Sequence, residues 1–190
     1  MTFLPLPKER GMNMKLAANE FEFIRCDEDS LEEICAIQEE AFRTLDNPEL
    51  LRRNSKEVLH ACLMEPHTTL GAYYGGRMAA FAVLYVAKDS TENLGRDIGV
   101  TEEELSTVAN VKLVIVRKEF RGNGLQKLLT QRLEEFARDQ GIQTLCATVS
   151  PANDYSIRNF EALGYRFYAC KTKYGNLKRN IYVKSIVTQK

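Results

Sequence analysis

The sequence predicts an α/β (α+β) domain, and three observations carry that prediction. An apolar, largely β-branched run (Val111, Leu113, Val114, Ile115, Val116) passes through a glycine-punctuated turn into a segment where Leu125, Leu128, Leu129, Leu133, Phe136 and Ala137 recur at three- and four-residue steps. That is the pattern of a strand feeding a helix with one buried face. A Gly75-Gly76 pair separates two further strand-like runs, the composition of a tight hairpin. Helical and strand periods then alternate along the chain in the order β-α-α-β-β-β-α-β-α-β-β.

Taken in order, Phe21 to Arg25 alternates apolar and polar residues and is the first predicted strand. Ser30 followed by Glu33 has the spacing of a capping box, opening a helix with Leu31, Ile34, Ile37, Ala41 and Phe42 on its apolar face. Asn47-Pro48 places a capping side chain before a first-turn proline, which predicts a second helix running through Leu51, Val58, Leu59 and Cys62. Thr68 to Tyr74 and Met78 to Ala87 are the arms of the hairpin. The polar connection from Lys88 to Ser106 is long, and Thr101 with Glu104 predicts a short helix inside it. Gly141 ends the Leu125 helix, Gln143 to Val149 is a strand, Asn153 to Leu163 is a helix closed by Gly164, and Arg166 to Lys171 and Asn180 to Val187 are the last strands.

At 190 residues with 44% hydrophobic content the chain suits one well-filled core. A single domain over residues 20–190 is expected, with residues 1–19 as a loose extension that lacks the apolar centre of a signal peptide. Lys plus Arg equals Asp plus Glu, so no overall field favours nucleic acid or a membrane surface. No apolar run approaches the length of a membrane span. Cys26, Cys35, Cys62, Cys146 and Cys170 are odd in number and scattered, and His60 and His67 are the only histidines. They read as buried or idle thiols in a reducing, cytoplasmic setting, with no metal site. Charge is nonetheless uneven, since Glu20 to Glu40 holds nine acidic residues against Arg25 alone.

The turn at Arg121-Gly122-Asn123-Gly124 is the strongest chemical signal. Its glycines open backbone dihedrals closed to other residues, so the free amides of the first helical turn can aim at an anion. Arg117, Lys118, Arg121 and Lys127 add positive charge around it. A Walker loop would need Lys and Ser or Thr after its second glycine, and a dinucleotide fingerprint would need glycine at Lys127. Neither is present.

Val116, Arg121 and Gly124 match Val-x-x-x-x-Arg-x-x-Gly-x-Gly/Ala, with Gln126 in place of the last small residue. About thirty residues on, Asn153, Ser156, Phe160, Gly164 and Tyr165 match Asn-x-x-Ala/Ser-x-x-x-Tyr-x-x-x-Gly-Phe/Tyr, with Phe160 at the tyrosine position. Together the two motifs resemble those of the GNAT superfamily of acyl-CoA-dependent N-acetyltransferases, over the chain from roughly Glu20 onward. The resemblance implies the GNAT fold, a central mixed, mostly antiparallel sheet splayed between two strands and flanked by helices. It implies acetyl-CoA as cosubstrate. Val114, Ile115 and Val116 would contact pantetheine and the acyl group, largely through main-chain groups. Arg121, Gly122, Asn123, Gly124, Leu125, Gln126 and Lys127 would hold the pyrophosphate, and Asn153, Ser156 and Phe160 would line the cofactor from the following helix.

The activity implied is transfer of an acyl group, in the first place acetyl, from CoA to a primary amine of a small molecule, peptide or protein. A catalytically weak or inactive acyl-CoA-binding sensor is the alternative. Many relatives protonate the departing thiolate with a Tyr where this chain has Phe160, and others carry a glutamate base where it has Thr148. The acid and base are therefore open, with Tyr155, Tyr165 and Ser156 as candidates and Tyr168 and Tyr174 as further phenols. Glu103, Glu104, the acidic first helix or a backbone-held water could serve as base. The acidic Glu20 to Glu40 region leads to the expectation of a cationic acceptor. The resemblance leaves a homodimer open.

Overall fold

The structure is a computed structural model that describes residues 15–187; residues 1–14, most of the expected extension, and residues 188–190 lie outside the described residues. Among the described residues seven strands form one sheet: β1 (Glu22–Arg25), β2 (Thr68–Tyr74), β3 (Arg77–Tyr85), β4 (Val108–Val116), β5 (Thr144–Val149), β6 (Arg166–Lys173) and β7 (Leu177–Ser185), in the order β1-β2-β3-β4-β5-β7-β6. Every neighbouring pair is antiparallel except β4 and β5. The helices are α1 (Leu31–Thr44), α2 (Lys56–Ala61), α3 (Gly95–Ile98), α4 (Leu125–Asp139) and α5 (Asp154–Ala162).

Gly75 and Gly76 both take left-handed dihedrals (φ 57° and 77°), as a two-residue primed turn between β2 and β3 requires. One sheet face packs Ala82, Leu84, Val111, Leu145 and Ala147 against Leu125, Leu129 and Leu133 of α4 and Phe160 of α5. The other packs Met78, Phe81, Val83 and Ile115 against Ile34 and Ile37 of α1 and Leu59 of α2. Farther along that second face, Leu94 covers Val108 and Cys146.

The ends of α4 and α5 share one device. Gly141 N–H bonds to Arg138 O at 3.0 Å and Ile142 N–H to Ala137 O at 2.9 Å, while Gly164 N–H bonds to Glu161 O at 2.9 Å and Tyr165 N–H to Phe160 O at 3.0 Å. Both are Schellman closures around a left-handed glycine.

Two expectations are corrected. Ser30 makes no capping bond to α1; its hydroxyl turns to Asp27, and Glu33 accepts the Met78 N–H at 3.0 Å and faces Arg117 at 3.6 Å. A buried guanidinium and a free strand N–H outcompete the local cap for that carboxylate. The helix predicted from Pro48 stops after one turn, Pro48–Leu50, although Asn47 caps it as expected. Gln38, buried on α1, donates to Asn54 O at 2.9 Å and accepts from Asn54 N at 3.0 Å, holding the chain extended until Ser55 starts α2. The connection between β3 and β4 is ordered by Asn93, whose amide reaches Leu105 O at 2.9 Å and accepts from Gly95 N at 2.8 Å. There Thr101 N–H bonds to the Glu104 carboxylate at 2.9 Å, completing one arm of the predicted box.

His67 links β2 to the end of β3. Its Nδ1 accepts the Val86 N–H at 3.2 Å, and its ring stacks on Tyr85 at 4.2 Å. Burial and the nearby Lys112 charge hold its pKa below the ordinary 6.5. The unfolded chain therefore binds this proton more readily than the folded one, so the contribution to stability is present above pH 6.5 and is lost as pH falls from there toward the folded value. We expect urea midpoints to fall on acidification below pH 6.5, before carboxylates titrate, and His67→Phe to flatten that part of the profile. Equal slopes in parent and variant would show that His67 does not govern this window.

Candidate functional site

The site begins where β4 and β5 part. Their parallel pairing runs from Val108↔Thr144 to Val111↔Ala147 and stops. On the other side of β4, Lys112 faces Val83 and Ile115 faces Phe81, so three steps along β4 match two along β3. The extra residue makes a bulge. Leu113 carries it, at φ 56°, a conformation that costs a non-glycine residue roughly 1–2 kcal/mol. Neither Leu113 nor Val114 has a partner in a neighbouring strand.

A cavity fills the gap and reaches both sheet faces. Val111, Lys112, Leu113 and Val114 line it from β4, and Thr148, Val149 and Ser150 from β5 and its end. On one face it meets Asn153, Ser156 and Phe160; on the other it meets Leu50, Leu51, Arg52, Asn54, Tyr174 and Arg179. The Asn54–Gln38 bonds fix that roof, and Arg179 donates to Glu49 O at 2.8 Å, tying the roof to β7.

Beyond β4 lies the glycine turn. Gly122 and Gly124 have φ 85° and 72°, and Gly124 is the N-cap of α4. Leu128 N–H makes the first bond back to Gly124 O, at 3.1 Å, which leaves the amides of Leu125, Gln126 and Lys127 without intrahelical acceptors. Arg121 Nε reaches Val116 O at 3.3 Å. Asn123 donates to Phe120 O at 3.0 Å and accepts from Leu16 N at 3.0 Å, so residues 15–16 of the expected loose extension dock on this turn. A second hollow beside α4 is lined by Asn123, Gly124, Lys127 and Leu128, with Leu163 opposite.

The predicted site residues are distributed unevenly. Val114, Asn153, Ser156 and Phe160 line the cavity. Ile115 is instead packed among the α1 and α2 side chains, because the bulge shifts the alternation behind it, and Val116 packs toward α4. Asn153 caps α5, accepting from Ser156 N at 3.1 Å. Gln126 explains its departure from the motif: it donates to Ser156 Oγ at 2.9 Å and accepts from Asn159 at 2.9 Å, joining α4 to α5.

Two catalytic candidates, Tyr155 and Tyr165, lie outside the cavity lining. Tyr155 is 83% exposed on the outer side of α5 and does not line the cavity. Tyr165 is buried with its ring 5.0 Å from Phe160, and burial and the Glu134 charge push its phenol well above the ordinary value. The phenol that does line the cavity is Tyr174, whose hydroxyl lies 3.2 Å from Thr148 Oγ1. It sits in the β6–β7 turn at φ 54°, outside either motif, so spacing could not single it out.

The acidic Glu20 to Glu40 region, from which a cationic acceptor was expected, does not line the cavity. Glu33 and Glu40 pair with Arg117, Glu32 with Lys56 and Glu39 with Arg53. Among the described residues no acidic side chain lines the cavity, whereas Arg52, Lys112 and Arg179 do. Lys171 and Lys173 are held by Asp97, at 3.2 and 2.6 Å. Among the described residues no group of three or more His, Cys, Asp or Glu could hold a metal ion, and no helix is long and apolar enough to cross a membrane.

A family model described as the acetyltransferase (GNAT) family matches residues 31–165. Among solved structures, an N-acetyltransferase from Staphylococcus aureus Mu50 is 16% identical, with a TM-score of 0.67 over 88% of this chain and 99% of that one. The ribosomal-protein-S18-alanine N-acetyltransferase from Escherichia coli is 18% identical, with a TM-score of 0.66 over 90% and 96%. A Salmonella typhimurium protein solved with its cofactor acetyl-CoA is 18% identical, with a TM-score of 0.67 over 90% and 96%. No curated protein matches the chain.

A Cβ at Gly124 would meet nothing within 4 Å, so the constraint there is the positive φ together with the space a ligand would need. Gly124→Val is expected to weaken acetyl-CoA binding at least ~10-fold while Gly124→Asn, which tolerates this dihedral, weakens it less. Calorimetry on folded variants decides, and an undiminished affinity in Gly124→Val would remove the turn from the site.

Proposed function

Because the chain belongs to the acetyltransferase (GNAT) family, whose cosubstrate is acetyl-CoA, we propose that it acetylates a primary amine of a small molecule at the parting of β4 and β5. The observation that carries this reading is the cavity between those strands, which joins α5 on one face to a roofed polar chamber on the other. The roof that Gln38 and Arg179 hold over the chamber supports a small acceptor over an extended polypeptide.

The residues present fit the cosubstrate. The free amides at the start of α4 and the open space above Gly124 suit a pyrophosphate, and the unpaired stretch at Leu113 and Val114 offers backbone groups to an extended arm. Bound there, acetyl-CoA supplies the acetyl group as a thioester. The backbone N–H groups of Leu113 and Val114 stand in the gap, where they can donate to a thioester oxygen as it gains charge. Arg52, Lys112 and Arg179 oppose a positive charge on the incoming nitrogen and favour its neutral form, so a carboxylate base is not required. As the C–N bond forms and the C–S bond breaks, Tyr174 gives its phenolic proton to the thiolate, Thr148 holds the hydroxyl in place, and the proton lost by nitrogen passes to water.

Phe160 and Thr148, in place of the usual acid and base, motivate the inactive-sensor alternative; Tyr174 supplies a phenol to the same cavity from another element. Tyr174→Phe should lower kcat by up to ~100-fold with little change in the KM for acetyl-CoA, whereas Tyr155→Phe should leave both unchanged. Thiol release with an amine panel measures this. A Tyr174→Phe variant at parent rate would exclude the phenol; absence of acetyl-CoA binding by the parent would overturn acetyl transfer itself.

A further inference from the structure

The acceptor end of the cavity has an unusual charge balance. Arg179 lines it while only 4% exposed. Its Nη1 donates to Lys178 O and its Nη2 to Glu49 O, each at 2.8 Å, which leaves most of its five N–H donors without a partner among the described residues. Among the described residues no carboxylate forms an ion pair with it. The Glu49 charge reaches this guanidinium only from beyond ion-pair distance, and burial outweighs it, holding the Arg179 pKa below its ordinary value, so the two carbonyl contacts return only part of what desolvation costs. Close by, Arg52 and Lys112 share one carboxylate, Glu92, at 2.8 and 3.4 Å. Burial alone would raise the Glu92 pKa, but the Arg52 hydrogen bond and the charges of Lys112 and Arg52 bring it below the ordinary value, so one negative charge serves two cations. Arg52 is further fixed by stacking over the Tyr174 ring, 4.2 Å from its centroid, and Lys112 by the Tyr85 ring at 3.6 Å. These cations belong to the chamber that also contains the Tyr174 hydroxyl and the unpaired β4 backbone.

We infer that the acceptor is an amine that also carries a carboxylate, an amino acid in the broad sense, with its carboxylate on the Arg179 guanidinium and its nitrogen toward Leu113 and Val114. This rests on the acetyl-transfer reading and adds the substrate class to it. A carboxylate matches the planar donor fork of arginine. It also adds negative charge beside three cations of which only Arg52 and Lys112 have an ion-pair partner, the shared Glu92, while Arg179 feels Glu49 without pairing to it. The same arrangement disfavours polyamines, whose second ammonium would sit against Arg52 and Lys112.

The test compares free amino acids with their carboxamides, with alkylamines of matched length and with spermidine, at one ionic strength. Turnover is read as thiol released from acetyl-CoA, and binding as calorimetry on the CoA-loaded protein. We expect at least one amino acid to exceed its carboxamide by about 100-fold in kcat/KM or in affinity. Arg179→Gln should raise the KM of that amino acid while leaving the acetyl-CoA dissociation constant unchanged. Should Arg179→Gln fail to fold, Lys112→Met is expected to narrow the same preference several-fold. Amides that serve as well as acids, or spermidine as the best acceptor, would overturn the carboxylate assignment while acetyl transfer stands. So would a requirement for the negative charge in the acyl group, seen as succinyl-CoA outrunning acetyl-CoA with neutral amines. Failure of the parent to bind acetyl-CoA would instead remove the reading beneath it.

Discussion

The structure depends on one irregularity, the bulge at Leu113. Without it, β4 would alternate regularly and could continue its parallel ladder with β5 beyond Val111↔Ala147. With it, Lys112 and Ile115 both turn toward the α1 face, Val114 turns toward α4, and the main chain between them is left without strand partners. The left-handed dihedral at Leu113 and the unmade ladder bonds both cost free energy. Leu113 recovers part of it by packing beside the α1 and α2 core, and Lys112 is held by Glu92 and the Tyr85 ring. The result is a sheet whose central seam is open at one end, and every element of the candidate site is arranged around that opening.

Charge is sorted by the same geometry. Arg117, at the end of β4, donates through Nε to Met78 O at 2.8 Å and pairs with Glu33 and Glu40 of α1. The acidic face of α1 is thereby drawn toward the strand end beside the glycine turn and away from the chamber. Other α1 carboxylates meet Lys56 and Arg53 at the surface, where such pairs add little stability. What remains around the chamber is basic, and the roof that closes it is positioned by neutral contacts, chiefly Gln38 with Asn54. Glu33 and Glu40 of the acidic run therefore tie α1 to the end of β4, and the chamber takes its character from residues far apart in sequence.

That separation explains what the sequence disclosed. The strand entering the turn, the α4 face and the Gly75-Gly76 hairpin are local patterns, and the structure places them with boundaries shifted by a few residues. The α5 start at Asn153 is equally local. In contrast, the Ser30 cap and the long second helix were lost to tertiary competitors, Arg117 for Glu33 and Gln38 for the Asn54 backbone. Tyr174, Arg52 and Arg179 gather in one chamber because the β6–β7 turn and the chain after α1 meet across the open seam. No spacing rule links residue 52 to residue 179. Lys112 was visible as a polar interruption in an apolar strand, a signal that could have been followed to the site.

The second motif gains a structural meaning from the end of α5. Phe160 and Tyr165 are the two residues whose side chains meet across the Schellman closure at Gly164, with the Tyr165 N–H bonded to Phe160 O and the rings 5.0 Å apart. The spacing aromatic, glycine four residues later and aromatic next thus specifies how the helix ends. Phe160 meets that requirement with no hydroxyl and still presents an edge to the cavity. A phenol at this position is therefore separable from the fold, since the motif's packing role survives its loss. The proton-donating role can move to any phenol that the open seam admits, and Tyr174, on a turn that approaches from the opposite face, has the access that the buried Tyr165 and the outward Tyr155 lack.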